Sequence, residues 1–555
     1  MKFIRTILLT FAMMLTMVCL SAQPQLPRIE SQDIVILYDN DVHCAIDGYA
    51  KMAGERDHIL ETTSNVCVVS SGDFMSGRAL GSVSRGEYII DVMNAVHYDY
   101  VTIGNHEFDF GIPQMTRLFG ELNSKVVCCN LWKIENISSS NEAFCVPMYD
   151  SYEIRNFGGK KVAFIGIATP GTISSSTPSY FKDDQQRFVY TFGKENSPYA
   201  PHYLVDEVQE QVNAARHEGA DYVVALAHLG IDPPAITSTE LIAQTTGIDV
   251  VLDGHSHSVI EERTLNNKEG HPVILTSTGT AFANIGVLVI REDGTMVTRL
   301  LPCSDIPFIH PGVQQKIDEI YKEYEKVGSR KIGYSEANLT INYPNGKRLV
   351  RTGECSLGDF VADAMLAVTG AEIAWMNSGG CRSNIPAGTI TFNSIFTACP
   401  FDNQVYLCKI PGQDLLDALE MAVSYLPTEG GVFPQVAGFR FEIDPSVASP
   451  AEMNPTTQVF DLKKGPRRIK NVEIFNQKKG KYVKLSPKKQ YTIAGTSYSM
   501  VDNGDGLQFP HITIVKKDFG TTREVIEKYI TEYLNGKIGK EREETAGRIQ
   551  IINQH

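Results

Sequence analysis

Short apolar runs recur from residue 33 to about residue 301, each followed by polar or helix-patterned chain. They fall at 34–37, 66–69, 101–103, 126–129, 162–167, 222–227, 250–252 and 273–275. Runs of three to six residues without helical spacing read as buried strands. Between two of them, residues 203–218 place Leu204, Val208, Val212 and Ala215 on one face of a helix. Buried strands alternating with helices predict a layered α/β domain, its helices outside the sheets.

The pattern changes at residue 311. Val313, Ile317, Ile320, Tyr321 and Tyr324 recur at helical spacing among charges, and Gly328 stops them, which predicts a connecting amphipathic helix. Further on, helices are expected near 357–368, at 413–424 and after Thr521, where Thr521 and Glu524 form a capping box. Strands are expected near 373–376, 405–410 and 491–494. Residues 463–489, rich in lysine, read as a solvated hairpin region. The organisation is therefore a first domain over 30–308, a linking helix over 309–330 and a second domain over 331–552.

The chain has 555 residues and a formal net charge of −14. That balance argues against a general nucleic-acid or anionic-membrane binder, so attraction for a phosphate ester has to be local. Lys2 and Arg5 precede an apolar stretch over 7–20, followed by Ser21 and Ala22. This describes a secretory signal over 1–22, which predicts a periplasmic or secreted location for the mature protein. Leu20 leaves an uncleaved anchor as the alternative. No later run is long enough to span a bilayer, and the polar C-terminus does not fit a glycolipid-anchor signal. Ten of the eleven cysteines follow the signal, many inside apolar runs, where buried thiols fit as well as bridges do.

Polar side chains cluster where the apolar runs end. One run leads into Asp41 and His43, which on extended backbone would point the same way. Others lead into Gly72-Asp73, Gly104-Asn105-His106-Glu107-Phe108-Asp109, His228, and His255 and His257. Each has an ordinary reading alone, as a surface turn or a satisfied core histidine. As a set they offer oxygen and nitrogen donors with no thiolate, which suits two divalent ions such as Zn²⁺, Mn²⁺ or Co²⁺. Only Asp41 and Asp73 carry negative charge among the donors, so a doubly occupied site stays electropositive. Such a pair, about 4 Å apart, can hold a hydroxide nucleophile and clamp phosphoryl oxygens.

These ordered motifs resemble the calcineurin-like metallophosphoesterases. More narrowly, residues 104–109 look like those of the secreted 5′-nucleotidase/UDP-sugar hydrolases. The resemblance implies a four-layer αββα sandwich followed by a second, α+β substrate-binding domain. It also implies that Asp41, His43 and His257 hold one metal, that Asn105, His228 and His255 hold the other, and that Asp73 bridges them. His106, oriented by Asp109, would stabilise the transferring phosphoryl group or aid the leaving oxygen. His58, His97, His202, His217, His271, His310, His511 and His555 lack such partners and read as surface or packing residues.

In the second domain, Asn377-Ser378-Gly379-Gly380-Cys381-Arg382 follows an apolar strand. The glycines would let backbone approach a ligand, and Arg382, with Arg351, would grip phosphate. Phe401 offers a stacking face, Asn403 an amide for a base edge, and Asp505 a carboxylate for ribose hydroxyls. Plain readings as turns and packing stand beside each. Together they resemble the 5′-nucleotidase substrate-binding domain, in which two aromatic rings hold the base. Phe401 matches one ring; the other position holds Ser499, between Tyr498 and Met500. The resemblance also implies that one domain rotates against the other. The expected activity is metal-dependent release of phosphate from nucleoside 5′-monophosphates, with UDP-sugars as further candidates. A 2′,3′-cyclic-nucleotide phosphodiesterase or broad phosphoesterase, and a non-catalytic nucleotide-binding protein, are the alternatives.

Overall fold

A computed structural model describes residues 26–553, apart from 136–143, 184, 186, 194–200, 233–235, 455–457 and the side chains of 144 and 201–203. The expected signal over 1–22, the His202 side chain and His555 lie outside the described residues. Among the described residues no helix is long and apolar enough to cross a membrane.

The apolar runs of the first domain form two six-stranded sheets. One runs Met296–Pro302, Asn284–Ile290, Ile34–Asp39, Val66–Ser70, Tyr100–Val101, Lys125–Val126. The other runs Val259–Asn266, Pro272–Thr278, Val250–Asp253, Tyr222–His228, Lys160–Ala168, Tyr152–Phe157. Alternation within a strand explains why the runs are apolar throughout. Ile34, Ile36 and Tyr38 face the second sheet with Phe164, Leu226 and Leu252. Val35 and Leu37 face outward, against the helices Tyr49–Leu60 and Glu87–Val96. The outer face of the second sheet is covered by Leu204, Val208 and Val212 of the helix Pro201–His217. Four layers, αββα, result, and both sheets are buried on both faces.

Two expected strands are shorter than their apolar runs. Residues 126–129 cross between the sheets: the Val127 amide donates to Val101 O in the first, and the Cys129 amide to Gly166 O in the second. The run at 101–103 leaves its strand after Val101 to begin the polar turn Asn105–Phe108.

The helix Pro311–Gly328 buries Val313, Ile317, Ile320 and Tyr324 in the first domain's core. His310 caps its start, accepting from the Val313 amide at 3.2 Å. In the second domain a five-stranded sheet centres on Ile373–Asn377 and Gln490–Thr496. Ala374 and Met376 pack on the side of the helix Ser356–Thr369, Ile373 and Trp375 on the side of Gly412–Ala422. The lysine-rich region forms the hairpin Ile469–Asn476 and Lys481–Lys484. All ten cysteines among the described residues are free thiols. The domains touch at the strand exits: Ser82 Oγ donates to Pro400 O at 2.7 Å, and the Tyr498 hydroxyl to Ser174 O at 3.1 Å.

Candidate metal centre

Parallel strands at the centre of both sheets end on the same side, where open α/β sheets collect ligand groups. The turn after Ile34–Asp39 zips onto the turn after Val66–Ser70: the Asp41 amide donates to Gly72 O at 3.0 Å and the His43 amide to Asp73 O at 2.9 Å. Asp41 and His43 do converge, but not by strand alternation. Their φ angles are 51° and 46°, and those of Asp73, His255 and His257 are 59°, 77° and 55°. Five donors thus sit in left-handed backbone, a conformation that non-glycine residues adopt rarely and that concentrates at functional sites.

Seven side chains meet here. His257 Nε2 lies 2.9 Å from His43 Nε2 and 3.5 Å from Asp41 Oδ1. Asp73 Oδ2 lies between His228 Nε2 at 3.2 Å and His43 Nε2 at 3.8 Å. Asn105 Oδ1 is 2.9 Å from His255 Nδ1. Asp41, His43 and His257 form one group able to hold a metal ion, and Asp41, Asp73 and His228 another. The approach is close enough to require glycine at Gly104 and Gly254, where a Cβ would collide with the Asp73 carboxylate and the His228 ring.

The donor set fits divalent ions. His43 Nδ1 donates to Ser76 O at 3.0 Å and His228 Nδ1 to Ser71 O at 2.7 Å, so both rings turn Nε2 inward. His228 Nε2 is buried and makes no hydrogen bond. Two ring nitrogens 2.9 Å apart, His43 Nε2 and His257 Nε2, suit ligation of a shared cation. Burial lowers the His43 and His255 imidazoles to about 3, which keeps them neutral ligands. Burial also disfavours charge on His228, but the Asp73 and Asp41 carboxylates beside it raise it to about 10. Burial raises Asp41 to about 7, whereas Asp73 is held well below the carboxylate range because His228 and His106 outweigh its burial. A cation between these carboxylates replaces the charge that a proton on His228 carries.

His106 borders the cluster, its ring edge-on to His43 at 5.1 Å. Its Nδ1 donates to Asp109 Oδ2 at 2.8 Å, and Ser76 Oγ donates to the same oxygen at 2.5 Å. Burial opposes the charged imidazole, yet Asp109 and Asp73 hold it above its ordinary range.

Residues of the second domain face this centre. Phe401 lies parallel to the His106 ring, centroids 5.7 Å apart at 16°, with the Arg382 guanidinium 5.8 Å from Phe401. Burial, then the neighbouring Arg348 and Arg382 charges, push Arg351 down to about 9. Among the described residues neither Arg351 nor Arg382 makes a side-chain hydrogen bond or ion pair, so this cationic pair suits an anion. Asn377 Nδ2 is 3.5 Å from Asp505 Oδ2, beside Arg351, and Asn403 lines a cleft next to Phe401. The Gly379 amide is spent on Gly431 O at 2.8 Å, and a Cβ on Gly380 would strike Met376. Ser499 is 1% exposed and bonded to Thr496, so it presents nothing to the cleft.

Three functional residues carry no expectation from sequence. Glu107, fully buried, accepts from the amides of Asp73, Phe74, Met75 and Gly104 at 2.7–3.1 Å, tying the Asp73 turn to the Asn105 turn. Asn40 donates to Asp41 Oδ2 at 2.7 Å and accepts from the Thr278 amide and hydroxyl. Asp253 accepts from the Leu229 and Gly230 amides, fixing the turn after His228. Glu107 lies inside the 104–109 motif, Asn40 directly before Asp41 and Asp253 two residues before His255, and that adjacency is the available signal.

Residues 35–259 match the calcineurin-like phosphoesterase family, and residues 331–513 the 5′-nucleotidase C-terminal domain. Over 459 residues the chain is 27% identical to the trifunctional nucleotide phosphoesterase YfkN of Bacillus subtilis, covering 76% of this chain and 30% of that protein. It is 25% identical to the 5′-nucleotidase of Bos taurus over 566 residues, 91% of this chain and 89% of that one. A 5′-nucleotidase precursor from Thermus thermophilus has the same fold, with a TM-score of 0.74 at 22% identity over 94% of this chain and 100% of the other.

Proposed function

We propose that this chain, which belongs to the calcineurin-like metallophosphoesterases that end in a 5′-nucleotidase C-terminal domain, releases phosphate from nucleoside 5′-monophosphates after export. Members of that family are metal-dependent phosphoester hydrolases. The catalytic domain spans 30–308 and the substrate-binding domain 331–552, joined by the helix over 309–330. The observation that carries the reading is the meeting of two unpaired arginines of one domain with the donor cluster of the other.

Asp41, His43 and His257 would hold one divalent ion and Asn105, His228 and His255 the other, with Asp73 between; Zn²⁺, Mn²⁺ and Co²⁺ all suit the donors. Ions there supply positive charge that polarises a phosphoryl group and acidifies water. The protein's own residues do the rest. Arg382 and Arg351 bind phosphate oxygens and set the ester in place. His106, its Nδ1 tied to Asp109, offers the proton on Nε2 to a phosphoryl or leaving oxygen. Phe401, lying over His106, keeps bulk water from that proton.

The direct test is AMP hydrolysis by the mature protein, with 2′,3′-cyclic AMP and UDP-glucose run beside it to set the substrate class. A chelator reduces AMP hydrolysis to background, and added Mn²⁺ or Zn²⁺ restores it; activity indifferent to the chelator rules the metal chemistry out. The pH profile tests His106. Because Asp109 helps hold the imidazole charged above its ordinary range, Asp109→Asn lets the proton go at lower pH. The alkaline limb of kcat/KM therefore moves to lower pH in the variant. A limb that stays where it is removes His106 as the titrating donor.

A further inference from the structure

With Ser499 buried, Phe401 has no aromatic partner in its own domain among the described residues. The first domain has one in place. In the turn Pro178–Phe181, Phe181 is fully buried, packed 5.0 Å from Phe108 and 5.9 Å from Phe192. Phe108 closes the turn that carries Asn105 and His106, so Phe181 pins its own turn directly beneath the metal centre. Tyr180, next to that anchor, cannot share its burial and stays 39% exposed. It stacks on no other ring among the described residues. It lines, with Phe401, Asp402, Asn403 and Asp109, a cleft between the domains.

We propose that Tyr180 supplies the second aromatic plane for the substrate's base, opposite Phe401, so that each domain contributes one wall of the base site. The inference rests on the nucleotide reading above and adds the residue that selects for a base. A planar heterocycle has two π faces, and one ring can cover only one of them. Cover for the second face must come from a side chain that is aromatic, accessible and in the same cleft, and Tyr180 meets all three conditions. Asp109 of the first domain and Asp402 of the second lie near its phenol, which places the ring at the junction of the domains. Asp502 lies beside Ser179, so the turn meets the segment that contains Ser499. With one plane on each domain, base binding depends on the domains being together.

The test compares kcat/KM for AMP with kcat/KM for ribose 5-phosphate, which has the phosphate and sugar but no base. The unmodified protein favours AMP. In Tyr180→Ala that preference falls by about tenfold or more, the range for loss of one base–aromatic stack, through KM and not kcat. Tyr180→Phe keeps the preference, because the plane and not the hydroxyl is used. The inference is overturned if Tyr180→Ala keeps the parental preference, or if Tyr180→Phe loses as much as Tyr180→Ala. An unmodified protein that does not distinguish AMP from ribose 5-phosphate overturns both this inference and the nucleotide reading beneath it.

Discussion

Asp73→Asn lowers kcat on AMP by about a thousandfold or more, roughly 4 kcal/mol of barrier, while the fold survives. The substitution is chosen so that little else changes. Asparagine tolerates the left-handed φ of 59° at this position better than most residues. Its remaining oxygen can still accept from the His106 amide, as Asp73 Oδ1 does at 2.8 Å. What it loses is the oxygen between His228 and His43, replaced by an amide nitrogen that has no lone pair for a cation. It also removes one of only two carboxylates among seven donors, so the affinity for divalent ions falls with the activity. Metal content per chain, measured beside kcat and the circular dichroism spectrum, checks both halves. A variant that keeps its ions and its turnover would place Asp73 outside the working site.

Much of this site was legible because evolution of a buried strand and of a polar strand exit leaves opposite marks in sequence. The strands at 34–39, 66–70, 222–228 and 250–253 are covered on both faces, so they stand out as unbroken apolar runs. Carboxylates and imidazoles directly after such runs have no place in the core and stand out in turn. The way they converge was not legible. Extended backbone was expected to align Asp41 with His43, but both occupy left-handed backbone, fixed by hydrogen bonds to a turn some 30 residues away. Nothing local announces that conformation in a non-glycine residue.

The same limit hid the supporting residues. Glu107 was in view within the motif, but its partners Asp73, Phe74 and Met75 lie more than 30 positions upstream. Tyr180 was invisible for a related reason: its exposure follows from where Phe181 is anchored, a tertiary fact. In the second domain the glycine pair marks a turn after a strand; a Cβ on Gly380 would meet the flexible end of Met376, and the charges that face the site are on Arg382 and Arg351. Interdomain proximity, which makes those arginines relevant, has no sequence signature at all.

Glu107→Gln destabilises the first domain and weakens catalysis together, although Glu107 is placed here only as a positioning residue. Its two carboxylate oxygens take four backbone N–H donors: Phe74 and Met75 on Oε1, Asp73 and Gly104 on Oε2. An amide must turn its NH₂ toward one of those pairs, leaving two buried N–H groups facing another donor. Each such loss costs about 1–3 kcal/mol, so the melting transition moves down by about 5 °C or more. The turns released are the two that carry Asp73 and Asn105, so loss of about tenfold to a hundredfold in metal affinity or turnover accompanies it. Glu107→Asp does not rescue, because the shorter side chain cannot reach both turns. The decisive comparison is kcat at a temperature well below the transition, where a residue that only stabilises the fold leaves turnover intact. If Glu107→Gln melts early yet turns over AMP at the parental rate with its ions in place, the carboxylate supports the core and not the site.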